Sequence, residues 1–203
     1  MLLKNLLVFI HLIAMAVAVG RMLEFDLRFL RSAHQPLNSA MRHALQHTRR
    51  TMTLTLTLLW LSGIALVAVA VDANPQALQN EKLWVKVLTV VCLTLNGLVL
   101  HRVAFPLLTG EQAFLDLPAR QRLGLTLCAV MSSVSWLYAS FLGIARSWNN
   151  TAPFGHVLGV YLALLALAGI GAVGLVSLLA ASRRAGLPRS RFPDTITQFP
   201  PQA

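Results

Sequence analysis

The chain has 203 residues, of which 56% are hydrophobic and 12% charged, with 17 Lys and Arg against seven Asp and Glu for a formal net charge of +10. A soluble domain carries about a quarter charged residues, so this composition excludes an ordinary soluble domain and leaves room for one membrane domain. The basic excess is large enough to suit a nucleic-acid partner, but its placement in the chain argues against one, as shown below.

Five apolar runs dominate the sequence: 2–23, 52–71, 83–105, 123–145 and 155–181. Each holds about 20 residues or more, enough to cross a ~30 Å hydrocarbon core as a helix. The pattern predicts an all-α integral membrane bundle of five transmembrane helices over residues 1–187. A disordered cytoplasmic tail is expected over 188–203, where Pro193, Pro200 and Pro201 fall.

The first run starts at the N-terminus with Lys4 near its front. It lacks a small-residue cleavage site and is followed by Glu24, Asp26 and Arg28, so a retained helix is expected and not a signal peptide. Leu23, Phe25, Leu27, Phe29 and Leu30 alternate with charged residues, which continues this helix into the cytoplasm. Glu24 and Asp26 are expected to pair with Arg21, Arg28 or Arg31 at helical spacings. Pro36 interrupts the helix, and Asn38 is placed to cap a second, short helix over 39–47. His43 and His47 share a face there. No Cys or carboxylate accompanies them, so a solvated interfacial helix is expected and not a metal site.

Asn74-Pro75 marks a turn between the second and third runs. Trp84 and Trp148 suit an aromatic belt at the outer interface. After the third run, the loop over 106–122 is expected to lie along the membrane, with Phe105, Leu107, Leu108, Phe114 and Leu115 dipping in. The fourth run carries Cys128, Ser132, Ser135 and Ala139 on one face. The fifth carries Gly155, Gly159, Ala163, Ala168 and Ala172. Both small-residue stripes predict close helix packing inside the bundle.

The charges fall by side. Arg21, Arg28, Arg31, Arg42, Arg49 and Arg50 lie between the first two runs, Arg102, Arg120 and Arg122 between the third and fourth, and Arg183, Arg184, Arg189 and Arg191 after the fifth. These are thirteen of the 17 cations. Lys4, Lys82 and Arg146 fall on the opposite side, and Lys86 falls inside a run. Five spans with this bias predict an N-out/C-in, multi-pass protein of a bacterial-type inner membrane. The basic side would meet anionic lipid head groups of the bilayer, and no nucleic acid is expected.

Ionisable groups inside a span are costly and normally face the bundle interior or a functional site. His11 would lie ~12 Å and Lys86 ~5 Å below the outer surface by helical rise. His156 sits at the outer edge of the fifth run. His101 would lie ~27 Å along its helix, near the inner interface beside Arg102, where it reads as the helix's cytoplasmic end. Imidazole is a common axial ligand of haem iron, so His11 is a candidate metal ligand. Lys86 is a candidate partner for a haem propionate or second ligand, and His156 is the alternative second ligand. An all-structural reading stands beside this one, with His11 hydrogen-bonded to a Ser of the fourth helix and Lys86 snorkelling outward. His11 and Met15, one turn apart, would offer Cu(I) an imidazole and a thioether. Cys92 and Cys128 have no metal or disulfide spacing.

The stretch Leu7-Val8-Phe9-Ile10-His11-Leu12-Ile13, then Gly20, Leu61-Ser62-Gly63-Ile64 and Leu83-Trp84-Val85-Lys86-Val87-Leu88, resembles the copper-resistance D-like membrane proteins and the HemJ-type protoporphyrinogen oxidases over about residues 1–105. That resemblance implies a b-type haem and functional roles for His11 and Lys86. Val19 stands where a Trp is usual, and Leu100-His101-Arg102 replaces a Tyr-His pair. With Ser135-Trp136-Leu137-Tyr138, these segments look more like an uncharacterised bacterial five-span relative. The fold and haem b therefore carry over as expectations, but the oxidase reaction does not. The chain has no P-loop, GxSxG or HExxH, and no paired carboxylates within a span, so it declares no enzyme. The alternative function is a cofactor-free accessory, transport or structural membrane protein, as a homo-oligomer or with a partner subunit.

The charge bias gives a direct expectation for topology. A green fluorescent reporter fused after Ala203 should fluoresce, and an alkaline phosphatase fused at the same point should be inactive. The opposite pair of results would reverse the orientation.

Overall fold

The computed structural model describes residues 2–186, so the proline-bearing tail expectation over 188–203 lies outside the described residues. Five helices are long and apolar enough to cross a membrane: α1 (Leu2–Ser32), α2 (Ser39–Ala73), α3 (Glu81–Leu108), α4 (Ala119–Ile144) and α5 (Phe154–Arg184). No strand occurs among the described residues. The all-α five-helix bundle is as the apolar runs foretold.

Several boundaries differ from the sequence reading. Asn38 does cap a helix, its side chain accepting from the Met41 N–H at 2.8 Å. That helix does not stop at residue 47 but runs unbroken into the second span, for 35 residues in all. Nothing between His47 and Met52 is a breaker, since Thr48, Arg49, Arg50 and Thr51 all tolerate helix.

Helix α3 is α-helical to Val99, widens into a π turn over Leu100–Ala104, and is α-helical again over Phe105–Leu108. Pro106 explains the widening. It has no N–H to give, and its ring would strike the carbonyl one α turn back. The wide turn absorbs that conflict.

The helices form two packed units. Helices α1 and α2 lie against each other, and α4 packs between α3 and α5. Contacts of α1 with α4, and the Trp60–Thr94 and Thr53–His101 pairs of α2 with α3, join the units. Three buried clusters run along the bundle. Near the Trp148 end lie Val85, Tyr138, Leu142, Val157 and Tyr161. Ala14, Ala18, Met22, Leu59, Leu93 and Trp136 fill the middle. At the arginine-rich end, Phe114 and Leu115 are buried beside Leu108, Leu125 and Val176. The loop after α3 thus plugs the bundle and does not lie along the membrane at those residues. Outward-facing positions remain apolar, as at Leu167 and Ile170, which suits contact with lipid.

Glu81 and Lys82, adjacent at the start of α3, complement two other helix ends. Glu81 accepts the Phe154 N–H at the start of α5, and Lys82 donates to the Ala145 carbonyl at the end of α4, at 2.9 Å. Each charge meets the helix pole of opposite sign.

The small-residue stripes separate. Ser135 and Ala139 on α4 are buried, as expected, whereas Gly155, Gly159 and Ala163 on α5 are exposed. The inward face of α5 is carried by Val157, Tyr161, Gly169, Val176 and Ala180. Tyr161 sets this rotation. Its hydroxyl donates to Ser135 at 2.8 Å, because Ser135 gives its own proton to the Met131 carbonyl.

Burial divides the leucines by consequence. Leu142→Ala should cost about 2–5 kcal/mol, as a buried cavity-forming change, while Leu167→Ala should lie within about 0.5 kcal/mol of the parent. Denaturation in detergent micelles measures both.

Candidate functional site

His11 lies on α1, half-buried, facing α2. Its Nδ1 is 2.8 Å from the Ser62 hydroxyl. Ser62 is 2.6 Å from the Leu58 carbonyl one turn back and donates its only proton there. Ser62 must therefore accept from His11, which places the proton on Nδ1 and leaves the Nε2 lone pair without a hydrogen-bond partner among the described residues. The serine is on α2, not on the fourth helix as the structural alternative had it. The reason is that α1 packs most closely on α2.

Lys86 reaches toward α4. Its ammonium lies 3.8 Å from where a Cβ on Gly143 of α4 would stand, and the His11 ring lies 3.6 Å from the same point on Gly63 of α2. Glycine at each position leaves the polar group room against a neighbouring backbone. Lys86 is half-buried.

The other sequence candidates stand apart. His156 is exposed in the first turn of α5, its ring edge-on to Trp148 at 5.6 Å, with no contact to His11 or Lys86. Met15 packs against the middle core beside Ala14 and Ala18, so it belongs to the packing. His43 and His47 are both exposed. No group of three or more His, Cys, Asp or Glu side chains able to hold a metal occurs among the described residues.

A second feature lies in the arginine-rich half, where α1 and α2 meet α3, α4 and α5. It is a cavity of about 420 Å³ with mainly apolar walls, among them Met52, Leu93, Gly97, Val130 and Ala172. Its polar wall groups were not foreseen as a set. Glu24 pairs with Arg21 at 2.9 Å and Arg28 at 2.6 Å as expected. Asp26 does not pair with an arginine; its carboxylate accepts from Ser133 of α4 at 2.6 Å. Position on a helix wheel could have found this, since Asp26 points away from the Arg21–Glu24–Arg28 stripe. His101 stands in the π turn on the cavity wall, its Nε2 3.5 Å from Thr53 and its Nδ1 buried and unpartnered. It is thus more than a helix end.

No protein-family model matches the chain, and no curated protein or solved structure matches it.

Proposed function

We propose that this multi-pass membrane protein binds haem b between α1 and α3 in the outer half of a bacterial inner membrane, for redox or haem-handling work. The Ser62 hydrogen bond carries the proposal. A histidine that ligates a metal nearly always gives its other ring N–H to an acceptor, which fixes the tautomer and the ring. His11 has that arrangement, with Nε2 left to serve as the axial ligand. Lys86, a half-buried cation within a span, supports it as a partner suited to a propionate carboxylate. His156, exposed against Trp148, is the weaker candidate for a second ligand. The resemblance over residues 1–105 favours the same two residues, His11 and Lys86.

Bound there, haem would supply one-electron exchange at its iron. The chain's own contribution is orientation of the imidazole through Ser62, charge compensation by Lys86, and exclusion of water by Val85, Tyr138 and Leu142.

Protein purified from haem-replete cells should show a Soret band. His11→Ala should abolish it and His101→Ala should leave it. Ser62→Ala should keep the band but weaken haem affinity about 10–100-fold, measured by hemin titration of stripped protein. A parent protein with no Soret band before or after adding hemin would end this reading. The His11–Ser62 pair would then be a structural bond in a cofactor-free accessory or transport protein.

A further inference from the structure

Independently of any haem, the arginine-rich half of the bundle holds two adjoining spaces of opposite character. The first is the apolar cavity of about 420 Å³ already described. The second is a cleft of about 530 Å³ between the continuations of α1 and α2, lined by Arg21, Glu24, Arg28, His43, His47 and Arg50. Phe25 and Thr48 line both, so the two spaces share a wall.

The charge of the cleft is one-sided. Glu24 is its single carboxylate and is shared between Arg21 and Arg28, so Arg50 and one of the other two guanidiniums are left uncompensated. Asp26 lies on the adjoining face of α1, toward α4, with its carboxylate held by Ser133. It therefore belongs to the cavity wall and not to the cleft. Guanidinium groups match phosphate oxygens in pairs. Basic pockets between helices at the membrane surface hold anionic lipid head groups. The cavity beside the cleft has the size and apolar walls of a ligand pocket.

We propose that the cleft and cavity together bind one lipid of the bilayer with a phosphate head group, the phosphate between Arg28 and Arg50 and one hydrocarbon chain past Phe25 and Thr48 into the cavity. Neither space alone selects such a molecule; the combination does. The cleft requires an anion, and the cavity requires an apolar chain attached to it.

The test uses the full chain in a neutral detergent and native mass spectrometry, with three probes: lysophosphatidic acid, lysophosphatidylcholine with the same chain, and inorganic phosphate. Lysophosphatidic acid should bind at least about tenfold more tightly than the zwitterion, as two surface cations imply. The double variant Arg28→Gln/Arg50→Gln should erase that preference, weakening lysophosphatidic acid far more than the zwitterion. Both residues are exposed, so the fold should persist. Gly97 lines the cavity, and a Cβ there meets nothing within 4 Å, so Gly97→Phe should fill the cavity and weaken binding of both lipids. Ala172→Leu should do the same from α5, which guards against misfolding of either variant alone. Equal binding of the two lipids, an unchanged preference in the double variant, or undiminished binding in both filled-cavity variants would overturn the proposal. Inorganic phosphate binding as tightly as lysophosphatidic acid would overturn it too, by showing an anion site without a chain site.

Discussion

Inside hydrocarbon there is no water to accept a stray hydrogen bond, so every polar side chain drawn into this bundle needs a partner within the protein. That requirement decides how the helices face one another. Asn96 gives its amide to the Cys128 carbonyl at 2.9 Å, Trp60 its indole N–H to Thr94 at 3.1 Å, and Tyr138 its hydroxyl to the Val157 carbonyl at 2.5 Å. The apolar contacts between helices are nearly as good with lipid as with protein. It is these directional bonds, worth about 1 kcal/mol each in a membrane, that choose one rotation of each helix among many of similar packing.

The same requirement separates the two halves of the molecule. Toward the Trp148 end, the polar groups are spent on neighbours: Lys82 on Ala145, Tyr161 on Ser135, His11 on Ser62. Among the described residues there, His11 Nε2 and the buried Asn80 Oδ1 are left without a hydrogen-bond partner. Toward the arginine-rich end, the units α1–α2 and α3–α5 part enough to leave a cavity, with Phe114 in its wall. The Asp26–Ser133 bond ties the two units across that gap. A carboxylate and a serine hydroxyl, 107 positions apart in the chain, thus do for the open end what close packing does for the other.

Much of this was legible in the residues. Runs of apolar side chains of spanning length and the Asn38 cap follow from local chemistry: hydropathy and capping. What spacing could not give was adjacency. The reading that set His11 against the fourth helix had the right kind of partner and the wrong helix, because periodicity reports which face is polar and not which neighbour it meets. The outward turn of Gly155 and Gly159 has the same origin, since small residues permit close approach without compelling it. Phe114 and Leu115 looked like membrane-dipping residues because burial in lipid and burial in protein leave the same mark on a sequence.

The π turn of α3 has an effect on counting. From Val85 the inward positions fall at Thr89, Leu93 and Asn96, with Leu100 half-buried. An unbroken 3.6-residue period would next turn Val103 and Leu107 toward the core. Instead Ala104 and Leu108 are buried, and Val103 is 52% exposed. The widened turn therefore holds one residue in excess and resets the phase of all that follows it. Helix α3 is in effect two helices in tandem with offset clocks, and any wheel, heptad or alignment drawn through it must insert a one-residue skip near Leu100.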